Sequence, residues 1–300
     1  MIAVAITPRS FRQTPGPHLE RLAASPLEVR FPEQERSLTE AEMVALVRGC
    51  AGLIVGVDPV SEGVLQAGPL RVVVKYGSGL DNVDLAAADR LGVRVRSTPG
   101  TNARSVAELT VGLLLALARH VAFHDRSARA GSWARRSGIE LNGRRLGLVG
   151  YGAVAREVAP IARGLGMEVV ATDPFVEDAD VELVDLDTLL ATSDAVSLHV
   201  PLDETTRNLI DAPALARMLP GALLVNTARG GLVDEAALAE ALVTGRLRGA
   251  ALDVFAEEPP ASSPLLELDN VIASPHAGAA TSEAVERTAS AALDELLRSL

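Results

Sequence analysis

The stretch Leu146-Gly-Leu-Val149-Gly150-Tyr-Gly152-Ala-Val-Ala155 indicates how a large part of this chain folds. Its first four residues are mostly apolar and predict a buried strand, and a helical pattern begins near Ala153. Gly150 permits a tight turn between the two, Gly152 lets the backbone approach a pyrophosphate, and the small Ala155 keeps the helix close to the sheet. Because a helix N-terminus offers free N–H groups to phosphates, the stretch predicts a dinucleotide site.

Asp173 strengthens this prediction. It ends the next apolar run, Glu168 to Thr172, and lies about 20 residues after Gly152, where an acidic residue contacts the ribose of a dinucleotide. A carboxylate there accepts hydrogen bonds from ribose hydroxyls and repels a 2′-phosphate, so we expect NAD rather than NADP. The alternative is a solvated aspartate that begins the turn at Asp173-Pro174.

Composition excludes several classes of function. The chain has 28 basic and 39 acidic residues and a net charge of −11, which argues against a nucleic-acid partner. The single cysteine, Cys50, cannot form an internal disulfide and indicates a reducing compartment. No signal-peptide pattern follows Met1, and the longest apolar run, 111–118, is too short to cross a membrane. We therefore expect a cytoplasmic protein with no membrane partner, and no metal site is predicted.

Short apolar runs alternate with amphipathic stretches along the whole chain. This alternation predicts βαβ units, parallel sheets and the α/β class. The pattern Ser105-Val-Ala-Glu108 resembles a capping box and predicts a helix from there to about Arg119. The stretch 126–143 is predicted to be irregular, and a last helix begins near Ser282. The predicted strands are 2–6, 53–57, 71–74 and 93–95 in the first hundred residues, then 146–149, 168–171, 195–198, 222–225, 249–252 and 271–273.

Three segments in the second half of the chain place a charged residue just after a predicted strand. They carry Arg229, Glu258 and His276. An arginine fork binds a carboxylate through two hydrogen bonds, and a histidine exchanges protons near neutral pH. A carboxylate beside the imidazole orients it and favours its charged form. Together the three suit the oxidation of a small 2-hydroxy acid. Singly, they could be a surface arginine, a loop carboxylate and a helix-capping histidine.

At these residues the sequence resembles the D-isomer-specific 2-hydroxyacid dehydrogenase family, and within it the phosphoglycerate dehydrogenases that lack a C-terminal regulatory domain. The family's catalytic arginine, glutamate and histidine fall on Arg229, Glu258 and His276. The resemblance also extends over most of the chain, through 75–84 (KYGSGLDNVD), 98–102 (TPGTN), 105–108 (SVAE) and 199–202 (HVPL).

The resemblance implies two doubly wound parallel-sheet domains with the active site in the cleft between them. Residues 1–98 and 280–300 would form a flavodoxin-like substrate-binding domain, and 99–279 an inserted Rossmann domain that binds NAD. It also implies a homodimer. The implied substrate-binding residues are Lys75, Gly77, Ser78, Gly79 and Asn102. The implied cofactor-binding residues are Gly150, Gly152, Ala153, Val154, Asp173, His199, Val200, Pro201, Thr206, Thr227, Ala228, Asp253 and Gly278.

The expected function is a reversible NAD-linked oxidation of a 2-hydroxy acid, with 3-phosphoglycerate and 3-phosphohydroxypyruvate as the preferred pair. Gly56 stands where phosphoglycerate dehydrogenases commonly carry a basic residue, which favours the alternative of a glyoxylate or hydroxypyruvate reductase, or of an enzyme for a specialised biosynthetic 2-oxo acid. A non-catalytic NAD-sensing protein is a third possibility. Lys75, the only lysine, would either bind a distal phosphate or carboxylate of the substrate, or be a solvated residue at a strand end.

Overall fold

The computed structural model describes residues 1–300, which divide into two compact units. The first unit comprises Met1–Asn102 and Ala279–Leu300, and the second comprises Ala103–Gly278. The boundaries expected from the sequence lie close to these positions, and the substrate-binding role of the first unit stays a prediction.

The first unit is built on a five-stranded parallel sheet. Two of its inner strands, Gly52–Val55 and Val72–Lys75, are buried at every residue, as expected when helices cover both faces of a parallel sheet. The strands lie in the order β2-β1-β3-β4-β5, the flavodoxin-like arrangement. They are β1 (Ile2–Ile6), β2 (Leu27–Arg30), β3 (Gly52–Val55), β4 (Val72–Lys75) and β5 (Arg94–Ser97).

Helices cover both faces of this sheet, and one of them comes from the far end of the chain. The last helix, α12 (Ser282–Ser299), packs Leu293 and Leu296 against Val4 and Val72 of the sheet. This packing explains why the C-terminal residues belong to the first unit. The other helices of the unit are α1 (Arg9–Gln13), α2 (Pro17–Ala23), α3 (Glu40–Val47), α4 (Glu62–Gln66) and α5 (Leu85–Arg90).

The second unit is built on a seven-stranded parallel sheet in the order β12-β11-β10-β9-β6-β7-β8. The order reverses beside β6, so β6 and β9 flank the point where open α/β sheets bind their ligands. The strands are β6 (Arg145–Val149), β7 (Glu168–Thr172), β8 (Glu182–Leu183), β9 (Ala195–Leu198), β10 (Ala222–Asn226), β11 (Leu247–Leu252) and β12 (Val271–Ala273).

Two apolar clusters cover the two faces of this second sheet. One of them contains Leu113, Leu114 and Leu117 of α6 together with Ala155 of α8. The helices of the unit are α6 (Ala103–Ala118), α7 (Val121–Arg129), α8 (Ala153–Gly164), α9 (Leu186–Thr192), α10 (Ala212–Arg217) and α11 (Glu235–Val243). No single helix combines the length and the apolar character needed to cross a membrane; α6 and α7 reach them only as a pair, bent by 65°.

Two local expectations were wrong, and two strands were not predicted. Helix α6 begins at Ala103, so Ser105 lies inside its first turn, and Glu108 pairs with Arg104 at 2.7 Å instead of closing a capping box. Part of the stretch expected to be irregular is helical, because α7 extends to Arg129. The sequence patterns also missed β2 and β8, since the first alternates apolar with charged residues and the second has only two residues.

We expect Leu293→Ala to reduce the free energy of unfolding by about 2–5 kcal/mol, because it removes a fully buried side chain from the core of the first unit. Leu297→Ala, on the same helix but 39% exposed, is the matched control and should change it far less. Urea unfolding followed by circular dichroism measures both variants. Equal losses would mean that α12 is not anchored through its buried face.

Candidate active site

The glycine-rich loop after β6 leads directly into the N-terminus of α8. Gly150 has φ +92°, and a Cβ there would lie 2.8 Å from Cγ1 of Val200, so both backbone conformation and space require glycine. Gly152 is the N-cap of α8, and a Cβ on it would meet no atom within 4 Å. The first turn of α8, with Ala153 and Val154, has neither a side-chain cap nor an acidic residue, so its N–H groups fit an anionic ligand.

Asp173 is held by the same loop. Its Oδ2 accepts the N–H of Tyr151 at 2.8 Å, and its Oδ1 accepts the N–H of Phe175 at 2.9 Å. Asp173 therefore begins a turn, as one sequence interpretation proposed, and also anchors the glycine loop. A carboxylate has about four lone-pair sites, so two remain for ribose hydroxyls.

The side chain of Tyr151, between the two glycines, is fully buried. Its hydroxyl donates to Asp180, and burial followed by this carboxylate raises the pKa of Tyr151 to about 12. The glycine loop is therefore fastened to β7 through Asp173 and to the segment before β8 through Tyr151. Sequence reasoning did not assign a role to this tyrosine.

The loop after β9 contains four predicted cofactor-binding residues. Burial lowers the pKa of His199 to about 4, so its imidazole is neutral at pH 7, and its Nε2 lies 2.9 Å from Oγ of Ser197. Thr206 donates its hydroxyl to the carbonyl of Pro201 at 2.7 Å and so closes the turn. The side chain of Val200 lies against the space above Gly150. These contacts shape the loop, and contact with the cofactor stays a prediction.

Buried Asn226, at the end of β10, shapes the segment that carries Arg229. Its Nδ2 donates to the carbonyl of Arg229 at 2.8 Å, and its Oδ1 accepts the N–H of Ala228 at 3.0 Å. Thr227 is also buried, with its Oγ1 2.8 Å from Oγ1 of Thr110. Asn226 therefore holds this segment in place, a role that the sequence did not predict.

Gly230 brings the Arg229 segment against the Glu258 segment. A Cβ at Gly230 would lie 1.9 Å from the carbonyl carbon of Phe255, a contact that no side chain tolerates. The segments after β10 and β11 thus meet backbone to backbone. This close approach depends on a glycine directly after the arginine.

The structure pairs Glu258 with His276. Nδ1 of His276 lies 2.8 Å from Oε2 of Glu258, whose Oε1 accepts the N–H of Phe255 at 3.1 Å. Burial alone would raise the pKa of Glu258. The pKa is nevertheless lowered, because the carboxylate is stabilised by the hydrogen bond and charge of His276, by the Phe255 amide and by the Arg229 guanidinium. Glu258 therefore interacts electrostatically with both of the other predicted catalytic groups, and all three lie in the second unit.

Asp253, at the end of β11, holds the segment that presents His276. Asp253 is 1% exposed. Its Oδ1 accepts hydrogen bonds from the Ser274 hydroxyl at 2.6 Å and from the Ala277 N–H at 2.8 Å. Its Oδ2 accepts one from the Gly278 N–H at 2.8 Å. His276 has φ +51°, a conformation that costs energy in a residue with a side chain. The predicted role of Asp253 and Gly278 in lining NAD is separate from this structural one.

Glu235 is a further residue that sequence reasoning missed. It opens α11, and its Oε1 accepts the N–H of Ala256 at 2.7 Å while its Oε2 accepts the hydroxyl of Ser263 at 2.9 Å. It therefore holds the segment that carries Glu258 from both sides. The only sequence signal was its place in the Arg229 segment, directly after the N-cap Asp234.

The predicted substrate-binding residues lie in the first unit. Gly77 has φ +120°. Its N–H donates to Oγ1 of Thr98 at 2.8 Å, so the amides of Ser78 and Gly79 are the loop's candidate donors to a substrate. Asn102 is the last residue of this unit before α6. Lys75 is 6% exposed, so its interpretation as a solvated residue was wrong.

Comparison with known proteins shows the family of this chain. Residues 111–278 match the family model of the D-isomer specific 2-hydroxyacid dehydrogenase NAD binding domain. A hydroxypyruvate reductase of Thermotoga maritima is 45% identical over 249 residues, which are 80% of this chain and 81% of the relative. The chain belongs to the D-isomer specific 2-hydroxyacid dehydrogenase family. As a member it is an NAD-dependent D-2-hydroxyacid dehydrogenase, which confirms the predicted fold class, cofactor and enzyme class.

Two further relatives support the assignment. A D-3-phosphoglycerate dehydrogenase of Methanocaldococcus jannaschii is 42% identical over 267 residues, which are 86% of this chain and 51% of the relative. The chain spans about half the length of the phosphoglycerate dehydrogenases that it matches. The crystal structure of a protein from Thermus thermophilus has a TM-score of 0.91 and 40% identity, covering 99% of this chain and 96% of that one.

We expect Glu235→Ala to lower kcat about tenfold or more, because it leaves the Ala256 amide and the Ser263 hydroxyl without their acceptor and lets the Glu258 segment shift. Glu240→Ala, exposed on the same helix, is the matched control and should retain full activity. Steady-state kinetics of both purified variants test this. Wild-type kcat in Glu235→Ala would contradict the assigned role.

Proposed function

We propose that Arg229, Glu258 and His276 carry out the dehydrogenase chemistry. The 2.8 Å contact between Nδ1 of His276 and Oε2 of Glu258 is the observation that supports this most, because it leaves Nε2 as the ring nitrogen that can exchange a proton with substrate. The arginine fork binds the substrate carboxylate in two hydrogen bonds.

The cofactor, when bound, supplies the chemistry of hydride transfer at its nicotinamide ring. The amides of the first turn of α8 would hold the pyrophosphate, and Asp173 would bind the adenosine ribose. During reduction, His276 gives its Nε2 proton to the oxygen of the 2-oxo group. Before this transfer, Glu258 stabilises the protonated imidazole. In the oxidative direction His276 takes the proton from the substrate hydroxyl. The other predicted cofactor-binding residues would line the rest of the NAD site.

We expect His276→Gln to lower kcat by about 10²- to 10⁴-fold, the usual contribution of an acid/base group, and to leave the Kd for NADH unchanged. Glu258→Gln should give a smaller loss. Because the pKa of Glu258 is lowered, its charge is present above that pKa and lost only as the pH falls through it. Wild-type reduction should therefore show no loss from Glu258 protonation between pH 7 and pH 5. Kinetics and calorimetry test this, and a fully active His276→Gln variant would overturn the mechanism.

For the substrate we propose a small unphosphorylated 2-oxo acid of the hydroxypyruvate or glyoxylate type. A distal phosphate needs a cation directed at it. Phosphoglycerate dehydrogenases commonly carry a basic residue at the position of Gly56, and this chain has no side chain there. Nζ of Lys75, the other candidate, donates to the carbonyl of Gly56 at 2.5 Å and to Oδ1 of Asn82 at 2.6 Å. The second candidate pair is 3-phosphoglycerate and 3-phosphohydroxypyruvate, which the similarity to D-3-phosphoglycerate dehydrogenases favours.

A direct comparison separates the two substrates. We expect kcat/KM with NADH to be at least about tenfold higher for hydroxypyruvate or glyoxylate than for 3-phosphohydroxypyruvate, which corresponds to the loss of one good charge-assisted contact. The reverse order would assign the enzyme to the phosphorylated acid.

We further propose that the enzyme acts as a homodimer in the cytoplasm. The family resemblance supports the dimer, and exposed apolar side chains on and beside α6 and α7 could supply the interface. They are Leu115, Val121 and Trp133.

A further inference from the structure

Lys75 ends strand β4 with its side chain inside the first unit. It is 6% exposed, and its ammonium donates to the carbonyl of Gly56 and to Oδ1 of Asn82. Gly56 directly follows β3, whereas Asn82 lies beyond the turn after β4. One ammonium thus joins the segments that follow two neighbouring strands.

Asn82 completes the connection from the other side. Its Nδ2 donates to the carbonyl of Gly56 at 3.1 Å and to that of Asp58 at 2.5 Å. The carboxylate of Asp58 is buried, and its Oδ1 accepts the N–H of Leu38 at 2.8 Å. The segment after β3 is therefore held by Asn82 through two carbonyls and by Leu38 through the Asp58 carboxylate.

The predicted substrate loop, Gly77 to Gly79, lies between Lys75 and Asn82 in the chain. Its start is held by the bond from the Gly77 N–H to Thr98, and its end by the bonds of Asn82. We propose that Lys75 and Asn82 are positioning residues, which set the orientation of the Ser78 and Gly79 amides toward a substrate carboxylate. The inference rests on the proposed substrate role of that loop.

The residue type supports this inference. Every other basic residue in the chain is arginine, yet this position has the one lysine. An ammonium is a compact charge that can direct donors to two oxygens in a confined space, whereas a guanidinium is larger and planar. A residue that bound substrate phosphate would have no need of this compactness, since arginine binds phosphate at least as well.

The test compares Lys75→Met, Lys75→Arg and Asn82→Ala with wild type, using hydroxypyruvate and 3-phosphohydroxypyruvate with NADH. We expect each variant to raise KM about tenfold for both acids, with a much smaller change in kcat and unchanged Kd for NADH, because the carboxylate-binding amides are misplaced. Arg90→Met is the control; it removes an exposed positive charge of the same unit, paired with Glu62, and should change neither parameter.

Two kinetic results would overturn the proposal. If Lys75→Met impaired only the phosphorylated acid and Lys75→Arg restored it, Lys75 would be a substrate-binding cation. If kcat fell with the fraction of folded enzyme while KM stayed constant, the residue would serve stability alone.

Hydrogen exchange without substrate tests the same inference independently of turnover. Amides of residues 77–82 should exchange faster in Lys75→Met and in Asn82→Ala than in wild type or Arg90→Met. Unchanged exchange would refute the positioning role. A wild-type enzyme that reduces no 2-oxo acid would instead refute the proposed function, so the two failures are distinguishable.

Discussion

The buried carboxylate of Asp253 is the constraint on which the candidate active site depends. A buried charge is tolerated only when its hydrogen bonds are satisfied, and here three donors from the segment 274–278 satisfy it. In return, these bonds hold His276 in a left-handed conformation that it would not adopt freely. The same strand end leads directly into the segment of Glu258. One end of β11 therefore positions both the imidazole and its carboxylate partner.

Close backbone contact extends this constraint to the third catalytic candidate. Gly230 allows the Arg229 segment to lie on Phe255, and the amide of Phe255 also binds Glu258. Glu258 thereby lies close enough to both Arg229 and His276 for their charges to lower its pKa. Since the whole chain carries a net charge of −11, attraction of an acidic substrate has to come from such a local arrangement.

The lone lysine illustrates how a family resemblance transfers a position but not its partners. The resemblance implied that Lys75 binds substrate. In the structure its ammonium lies inside the first unit, where it donates to oxygens of Gly56 and Asn82.

Much of the fold could be predicted from local patterns. The strands 195–198 and 271–273 were predicted at their observed bounds, and the glycine-rich loop was recognised because backbone conformation and helix ends depend on neighbouring residues. The edge strand β2 and the two-residue β8 were missed, since short or charged strands depend on pairing with distant residues. The candidate catalytic residues Arg229, Glu258 and His276 were likewise predicted from the sequence. Only the tertiary structure decided that Glu235 supports the Glu258 segment, that Asp253 holds His276, and that Lys75 turns inward, because each partner lies many residues away and its position depends on how the strands pack.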